Sequence, residues 1–252
     1  MTTLGIGIVT YNRLQSLRET IRCVRKHTVS SYRLIVAPDG CTDGTVKWCR
    51  ENGVVTFDVP RRGLTWNRNR LLYYFTKTMP VDVIMLLEDD TSPIVDNWES
   101  EWVRAAKKWG QVCYAWPGTH EPPETGEGTP DNPYLSNAVA MQCVCMTKEA
   151  LAKAGYSDTR FLPPFGHEDT EWRWRYAREH GTLDGCRTPA LRSGVRVTDC
   201  GTYRTKYQDV LDANFAMLES VWTDRNYHEP WRTSYEKEVF MAEADMIVLP
   251  NP

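Results

Sequence analysis

Carboxylates carry most of the potential chemistry in this chain, and two adjacent groups stand out. Glu88-Asp89-Asp90 closes the apolar run Val81-Asp82-Val83-Ile84-Met85-Leu86-Leu87, and Glu168-Asp169 follows the constrained turn Pro163-Pro164-Phe165-Gly166-His167. Three acids directly after a buried strand repel one another, and folding gains little from them unless a cation or a cluster of donors holds them. The triplet is therefore a candidate metal site. Its alternative is a helix-capping acidic turn, because Thr91-Ser92-Pro93 follows and Asp favours turns and helix starts. For Glu168 and Asp169 a catalytic role competes with simple complementation of a helix dipole in the first turn. Asp39 and Asp199 also end apolar runs.

These acids need a scaffold, and the composition allows one. The 252 residues are 41% hydrophobic, enough to bury a substantial core as one large domain or two small ones. With 30 Lys plus Arg against 33 Asp plus Glu, the formal charge of -3 gives no global basic field for nucleic acid or an anionic membrane. The 10 Trp and 12 Tyr suit a filled core or stacking platforms for sugars. The 8 cysteines, Cys23, Cys41, Cys49, Cys113, Cys143, Cys145, Cys186 and Cys200, form no CxxC pair, which favours buried thiols over a zinc cluster or disulfide scaffold. The opening residues show neither a signal peptide nor a membrane anchor, so the expected location is cytoplasmic, without a membrane span.

The first half alternates strand and helix with short connections. Leu4 to Thr10 reads as a strand, with Asn12 as N-cap of a helix carrying Leu14, Leu17, Ile21 and Val24. Tyr32 to Ala37 is a second strand; Thr42-Asp43-Gly44-Thr45 opens a helix that stops near Asn52-Gly53. Val54 to Val59 is a third strand, Leu64 to Thr78 a helix, and Val81 to Leu87 a fourth strand. Such alternation implies a mainly parallel sheet whose ligands bind at the carboxyl ends of the strands. Thr10-Tyr11-Asn12, Asp39-Gly40 and Glu88-Asp89-Asp90 all fall at those ends. Beyond them, Trp98 to Trp109 reads as a helix, Val112 to Trp116 as a strand and Pro117 to Ser136 as a loop suited to a lid. Ala138 to Thr147 is a strand with Cys143 and Cys145 on one face, Lys148 to Ala154 a short helix, Glu168 to about His180 a longer one, and Ala190 to Thr198 a late strand. A helical stretch runs through Val210 and Val221, and the tail from Trp231 could cover the nucleotide side, the acceptor or the sheet edge.

The order of these motifs resembles the family 2 glycosyltransferases with the GT-A fold, over roughly residues 4 to 205. Ile8-Val9-Thr10-Tyr11-Asn12-Arg13 is similar to that family's opening strand and turn. Pro38-Asp39-Gly40-Cys41-Thr42-Asp43-Gly44-Thr45 resembles its DDGSTDGT signature, and Arg62-Gly63-Leu64 to Arg68-Asn69 its NxGxxxARN segment. Glu88-Asp89-Asp90 stands where the DxD motif does and Gly166-His167-Glu168-Asp169 where the "ED" motif does. The chain departs at Pro38, Cys41 and Glu88, and it has Asp199 where the family often has a histidine.

The resemblance implies an α/β, Rossmann-like single domain: residues 1–205 form the GT-A unit, with 1–90 the nucleotide-binding half and 91–205 the acceptor-binding half. Residues 206–252 form a C-terminal helical extension packed on it. It further implies that Thr10, Tyr11 and Arg13 border the nucleotide, Asp39 contacts the uracil, Arg68 holds base or diphosphate, and Asp89 faces the ribose. Asp90, with Asp199, would bind Mn²⁺ or Mg²⁺, and Asp169, with Glu168 in reserve, would be the base of an inverting transfer from a UDP-sugar. The acceptor hydroxyl would belong to a glycan or to a hydroxymethylated base in phage DNA. Two other readings remain: a glycoside hydrolase, which also needs paired carboxylates, and an inactive module that only binds nucleotide sugars.

Overall fold

The computed structural model describes residues 2–115, 125–136, 139–161, 166–180, 187–198, 208–221 and 229–251. It begins with the strand β1 (Leu4–Thr10), the helix α1 (Leu14–His27), β2 (Tyr32–Pro38), α2 (Thr45–Glu51), β3 (Val55–Phe57) and α3 (Leu64–Tyr73), which continues as a π-helical turn over Tyr74–Thr78. Then come β4 (Val83–Glu88), β5 (Thr91–Pro93), α4 (Trp98–Trp109), β6 (Gln111–Ala115), β7 (Tyr134–Ser136), β8 (Val139–Thr147) and α5 (Lys148–Ala154). The chain closes with α6 (Glu168–His180), β9 (Thr188–Leu191), β10 (Val195–Val197), α7 (Gln208–Val221), α8 (Ser234–Ala244) and β11 (Ile247–Val248).

Among the described residues nine strands form one sheet in the order β11-β3-β2-β1-β4-β8-β6-β9-β7. The β3-β2-β1-β4 block is parallel, as strands joined through covering helices must be. β1 is buried at every position, the pattern of a strand covered on both faces. Along β4, Met85 and Leu87 enter one apolar layer with Leu17, Ile21 and Trp102, while Ile84 and Leu86 enter the other with Leu71, Phe75 and Trp172. The period-2 alternation of a strand thus builds a helix–sheet–helix sandwich. α3 lies very close to β1, because a Cβ added at Gly5 would come within 2.6 Å of the Phe75 ring and one at Gly7 within 2.9 Å of Leu71. That close approach brings the polar side chains of α3 to the carboxyl ends of the strands.

Several local expectations need correction. Asn12 is not the N-cap of α1: it is left-handed, with φ of 50°, and its Oδ1 accepts from the amide of Thr42 instead. The Asp43 carboxylate of the next loop accepts from the Leu14 amide at 2.8 Å and so satisfies the helix start from outside. Thr91-Ser92-Pro93 is a strand rather than a cap, pairing antiparallel with β10. The expected late strand from Ala190 is two strands, because β9 stays in the main sheet beside β6 and β7 while β10 leaves it to meet β5. Within the expected loop over Pro117 to Ser136, Tyr134–Ser136 is the edge strand β7, and residues 116–124 lie outside the described set. The tail covers the opposite edge, where β11 pairs antiparallel with β3.

Candidate active site

Register places the site. Thr10 is aligned with Pro38 and Val9 with Glu88, so β2, β1 and β4 end side by side and deliver Asp39, Thr10 and the acidic triplet to one edge. The first turns of α1 then hold the triplet. Thr10 Oγ1 donates to Asp89 Oδ2 at 2.6 Å, and the hydroxyls of Ser16 and Thr20 donate to the Asp89 carbonyl at 2.8 and 2.7 Å. Arg13 Nη1 lies 3.1 Å from Asp89 Oδ1 and 3.2 Å from Asp90 Oδ2. From the other side Thr198 donates its amide, at 3.1 Å, and its hydroxyl, at 3.2 Å, to the Asp90 carbonyl. Asp199 follows Thr198 directly in the chain and lies outside the described residues.

α3 is a polar post driven into the core. Asn67, Arg68, Asn69 and Arg70 are all buried, and each is spent on a different segment. Asn67 bonds the Ala37 carbonyl at the end of β2, and Asn69 exchanges bonds of 2.9 Å with both backbone groups of Ser157. Arg68 gathers the acids. Its Nη2 is 2.9 Å from Glu88 Oε1, and its Nη1 bonds Asp169 Oδ1 and lies 3.7 Å from Glu168 Oε1. The strand-end triplet and the first turn of α6, eighty residues apart in sequence, thereby share one cation. Burial alone would make Arg68 easier to deprotonate, but Asp169, Glu88 and Glu168 outweigh it and keep the guanidinium charged.

The same burial acts on the carboxyls. It pushes Glu168 up to about 7, with Asp169 adding to the rise and Arg68 opposing it. Asp89 goes up to about 6 by burial, against the pull of the Thr10 hydroxyl and Arg13, and Glu88 is also raised, with Arg68 opposing. Within the acid pair geometry separates two neighbours that sequence leaves equivalent: the Glu168 side chain is 4% exposed and that of Asp169 33%. Glu168 accepts from the Gly166 amide and turns inward. Asp169 keeps one oxygen on Arg68 and faces outward.

On the β2 side, Asp39 accepts from the amides of Arg62, at 2.7 Å, and Gly63, at 3.0 Å. The Arg61 guanidinium lies 4.1 Å from the centre of the half-exposed Tyr11 ring, a cation–π contact that covers one face of the ring. Trp172 belongs to the core rather than to a ligand surface: it is fully buried and its Nε1 donates to the Gly155 carbonyl at 2.9 Å. Trp174 is only partly buried and packs beside Phe161, Leu218 and Val221. Sequence reasoning missed Ser16 and Thr20, which hold the triplet's backbone, and Glu243. The only local signal for the first two was their position on the inward stripe of α1.

Among the described residues no three His, Cys, Asp or Glu side chains converge as a ready-made metal cage. The donor set nonetheless fits a hard divalent cation, since Glu88, Asp89 and Asp90 offer only carboxylate oxygens.

A sheet with helices on both faces, ending in acids gathered at one edge, is the GT-A architecture. The model of the glycosyl transferase family 2 matches residues 6–143. The chain belongs to that family and is a glycosyltransferase. Among solved structures it is similar to the mannosyltransferase PcManGT from Pyrobaculum calidifontis, in complex with GDP-Man and Mn²⁺, with a TM-score of 0.61 and 15% identity over 96% of this chain and 69% of that one. It is also similar to glucosyl-3-phosphoglycerate synthase from Mycobacterium tuberculosis, in complex with Mn²⁺ and UDP, with a TM-score of 0.60 and 12% identity over 87% and 79% of the two chains. S. aureus TarS matches with a TM-score of 0.55 and 13% identity over 96% of this chain but only 42% of its own. No curated protein sequence matches the chain. No helix among the described residues is long and apolar enough to cross a membrane.

Proposed function

We propose that the enzyme is an inverting, divalent-metal-dependent transferase that moves a sugar from a UDP-sugar to an acceptor hydroxyl, with Asp169 as general base. The observation that carries this reading is the joint hold of Arg68 on Glu88 and Asp169. It puts an outward-facing carboxylate next to a buried acidic cluster, as direct displacement between donor and acceptor requires. Glu168, buried and accepting from the Gly166 amide, shapes the turn rather than acting as the base.

Asp90, with Asp199, is the proposed metal-holding pair, and the relatives solved with Mn²⁺ favour that ion. When bound, the metal supplies positive charge against the diphosphate that departs. The chain supplies the rest. Thr10, Tyr11, Arg13 and Asp39 line the nucleotide side, with Asp39 contacting the base, and Asp89 faces the ribose. Arg68 orients the acids at both ends, and its cation balances the charge that gathers there. Asp169 accepts the proton of the attacking hydroxyl, a contribution of about 10²–10⁴-fold, and attack from the face opposite the leaving group inverts the anomeric centre.

Residues 1–90 supply most of the donor side and 91–205 the acceptor side. A glycan hydroxyl is the acceptor we favour, because the net charge of -3 gives no field for a DNA backbone. Mass spectrometry after incubating UDP-sugars and Mn²⁺ with glycans or with hydroxymethylated DNA tests this. A glycan gaining one hexose or N-acetylhexose mass supports it; modification of the DNA alone contradicts the acceptor, and no transfer to any member contradicts the glycan assignment.

A further inference from the structure

We propose that Glu243, on α8 and a hundred residues beyond the family-matched segment, is a positioning residue for the donor nucleotide: it holds the Pro60–Gly63 loop against which Asp39 and Tyr11 are built. The proposal rests on the donor-side reading above.

Glu243 is buried and accepts from three side chains. Its Oε1 takes Arg62 Nε at 2.8 Å, and its Oε2 takes Trp66 Nε1 at 2.9 Å and a terminal nitrogen of Arg70. Burial works against its charge, but Arg70, Arg62 and Trp66 prevail and hold it below the usual carboxylate range. Two of these donors lead into the loop. Arg62 belongs to it, and Arg70 also lies 3.4 Å from the Pro60 carbonyl. A third tie comes from the same tail, where the Asp58 amide donates to the Met246 carbonyl at 3.0 Å.

The loop in turn sets the donor side. The amides of Arg62 and Gly63 fix the Asp39 carboxylate, and Arg61 covers Tyr11. Gly40 is pressed so closely on the loop that an added Cβ would come 2.5 Å from the Arg61 nitrogen. Movement of the loop is therefore passed to Asp39 without slack. The anchor itself is rigid: Phe240, one turn before Glu243, is fully buried and packs on Trp66, Tyr73 and Trp231 with ring centres 5.4 to 5.6 Å apart. Such a carboxylate does more than dock the tail, because one of its hydrogen bonds ends on Arg62 of the loop that holds Asp39, and Arg70, another of its donors, reaches the Pro60 carbonyl of the same loop.

Calorimetric titration of UDP and of GDP, each with Mn²⁺, into the full chain and its Glu243→Gln and Arg62→Gln variants tests this, together with the slow hydrolysis of the UDP-sugar. Each single variant is expected to weaken nucleotide binding about tenfold, as loss of a partly buried charge-assisted hydrogen bond would. The hydrolytic KM rises while kcat is kept, and the double variant is weaker by less than the product of the two single effects, since the two residues share the Arg62–Glu243 contact. Arg62 is half-exposed, so its variant serves if Glu243→Gln fails to fold. Nucleotide affinity unchanged within twofold in the folded variants overturns the proposal. So does a parallel fall of kcat and folded fraction with KM kept, the mark of a merely structural role. Failure of the unsubstituted protein to bind either nucleotide overturns the donor-side reading itself.

Discussion

Arg68 Nη1 bonds Oδ1 of Asp169, joining α3, whose start follows the nucleotide-side loop, to the first turn of α6. Because the same guanidinium reaches Glu88 through Nη2, the base is held in a fixed relation to the acidic end of β4. Loss of the Asp169 carboxylate should leave that frame standing. Asp169→Asn is expected to lower transfer by about 10²–10⁴-fold with nucleotide affinity retained, whereas Glu168→Gln should cost far less. Steady-state rates beside calorimetric binding of UDP check both.

Removing the cation should damage the fold. Arg68→Met leaves Glu88, Glu168 and Asp169 with no shared counter-charge, and breaking a buried ion cluster in this way costs about 3–5 kcal/mol. Arg68→Lys should recover only part of this, since a compact ammonium cannot reach two carboxylates with the planar fork of a guanidinium. Urea unfolding measures both, with the midpoint falling in the order Arg, Lys, Met.

Stability should also respond to pH. The Glu168 carboxyl rises from its ordinary 4.5 to about 7 on burial beside Asp169, so the folded state holds this proton more tightly than the unfolded one. The stabilisation is therefore complete below about 4.5 and is lost as pH rises through about 7. In metal-free buffer the melting temperature should decline across that window, and Glu168→Gln, which cannot ionise, should flatten the decline. An unchanged slope in the variant would remove Glu168 from the explanation.

A smaller effect is expected at Asp43. Its carboxylate takes the Leu14 amide and, at Oδ1, the Thr45 amide and hydroxyl, so one side chain serves two helix starts. Asp43→Ala should cost about 1–2 kcal/mol of unfolding free energy, read from denaturant titration.

The sequence shows most of what is local and periodic. Apolar strands closed by polar clusters, separated by helices, place Thr10, Asp39 and Glu88 on one edge, because parallel strands must all point the same way. The amphipathic helix α4 and the short α5 are also legible to the residue. What escapes is pairing at a distance. Nothing near Asn12 says that Asp43 will cap α1, and nothing in Thr91-Ser92-Pro93 says that Val195–Val197 will meet it. The tail from Trp231 carries no clear pattern in sequence, yet its Glu243 is buried against Arg70, 173 residues earlier. Buried α3 is the clearest case: its run Asn67-Arg68-Asn69-Arg70 looks solvated by composition, and only the surrounding partners make it core.

Metal-dependent transfer directed by these acids is read from the release of UDP from a UDP-sugar. With Mn²⁺ or Mg²⁺ the protein should release UDP, and chelation should stop it. Asp90→Ala should abolish the release while leaving the circular dichroism spectrum and melting cooperativity intact. Release that is equally fast under chelation, or retained by folded Asp90→Ala, would rule out a metal held at Asp90.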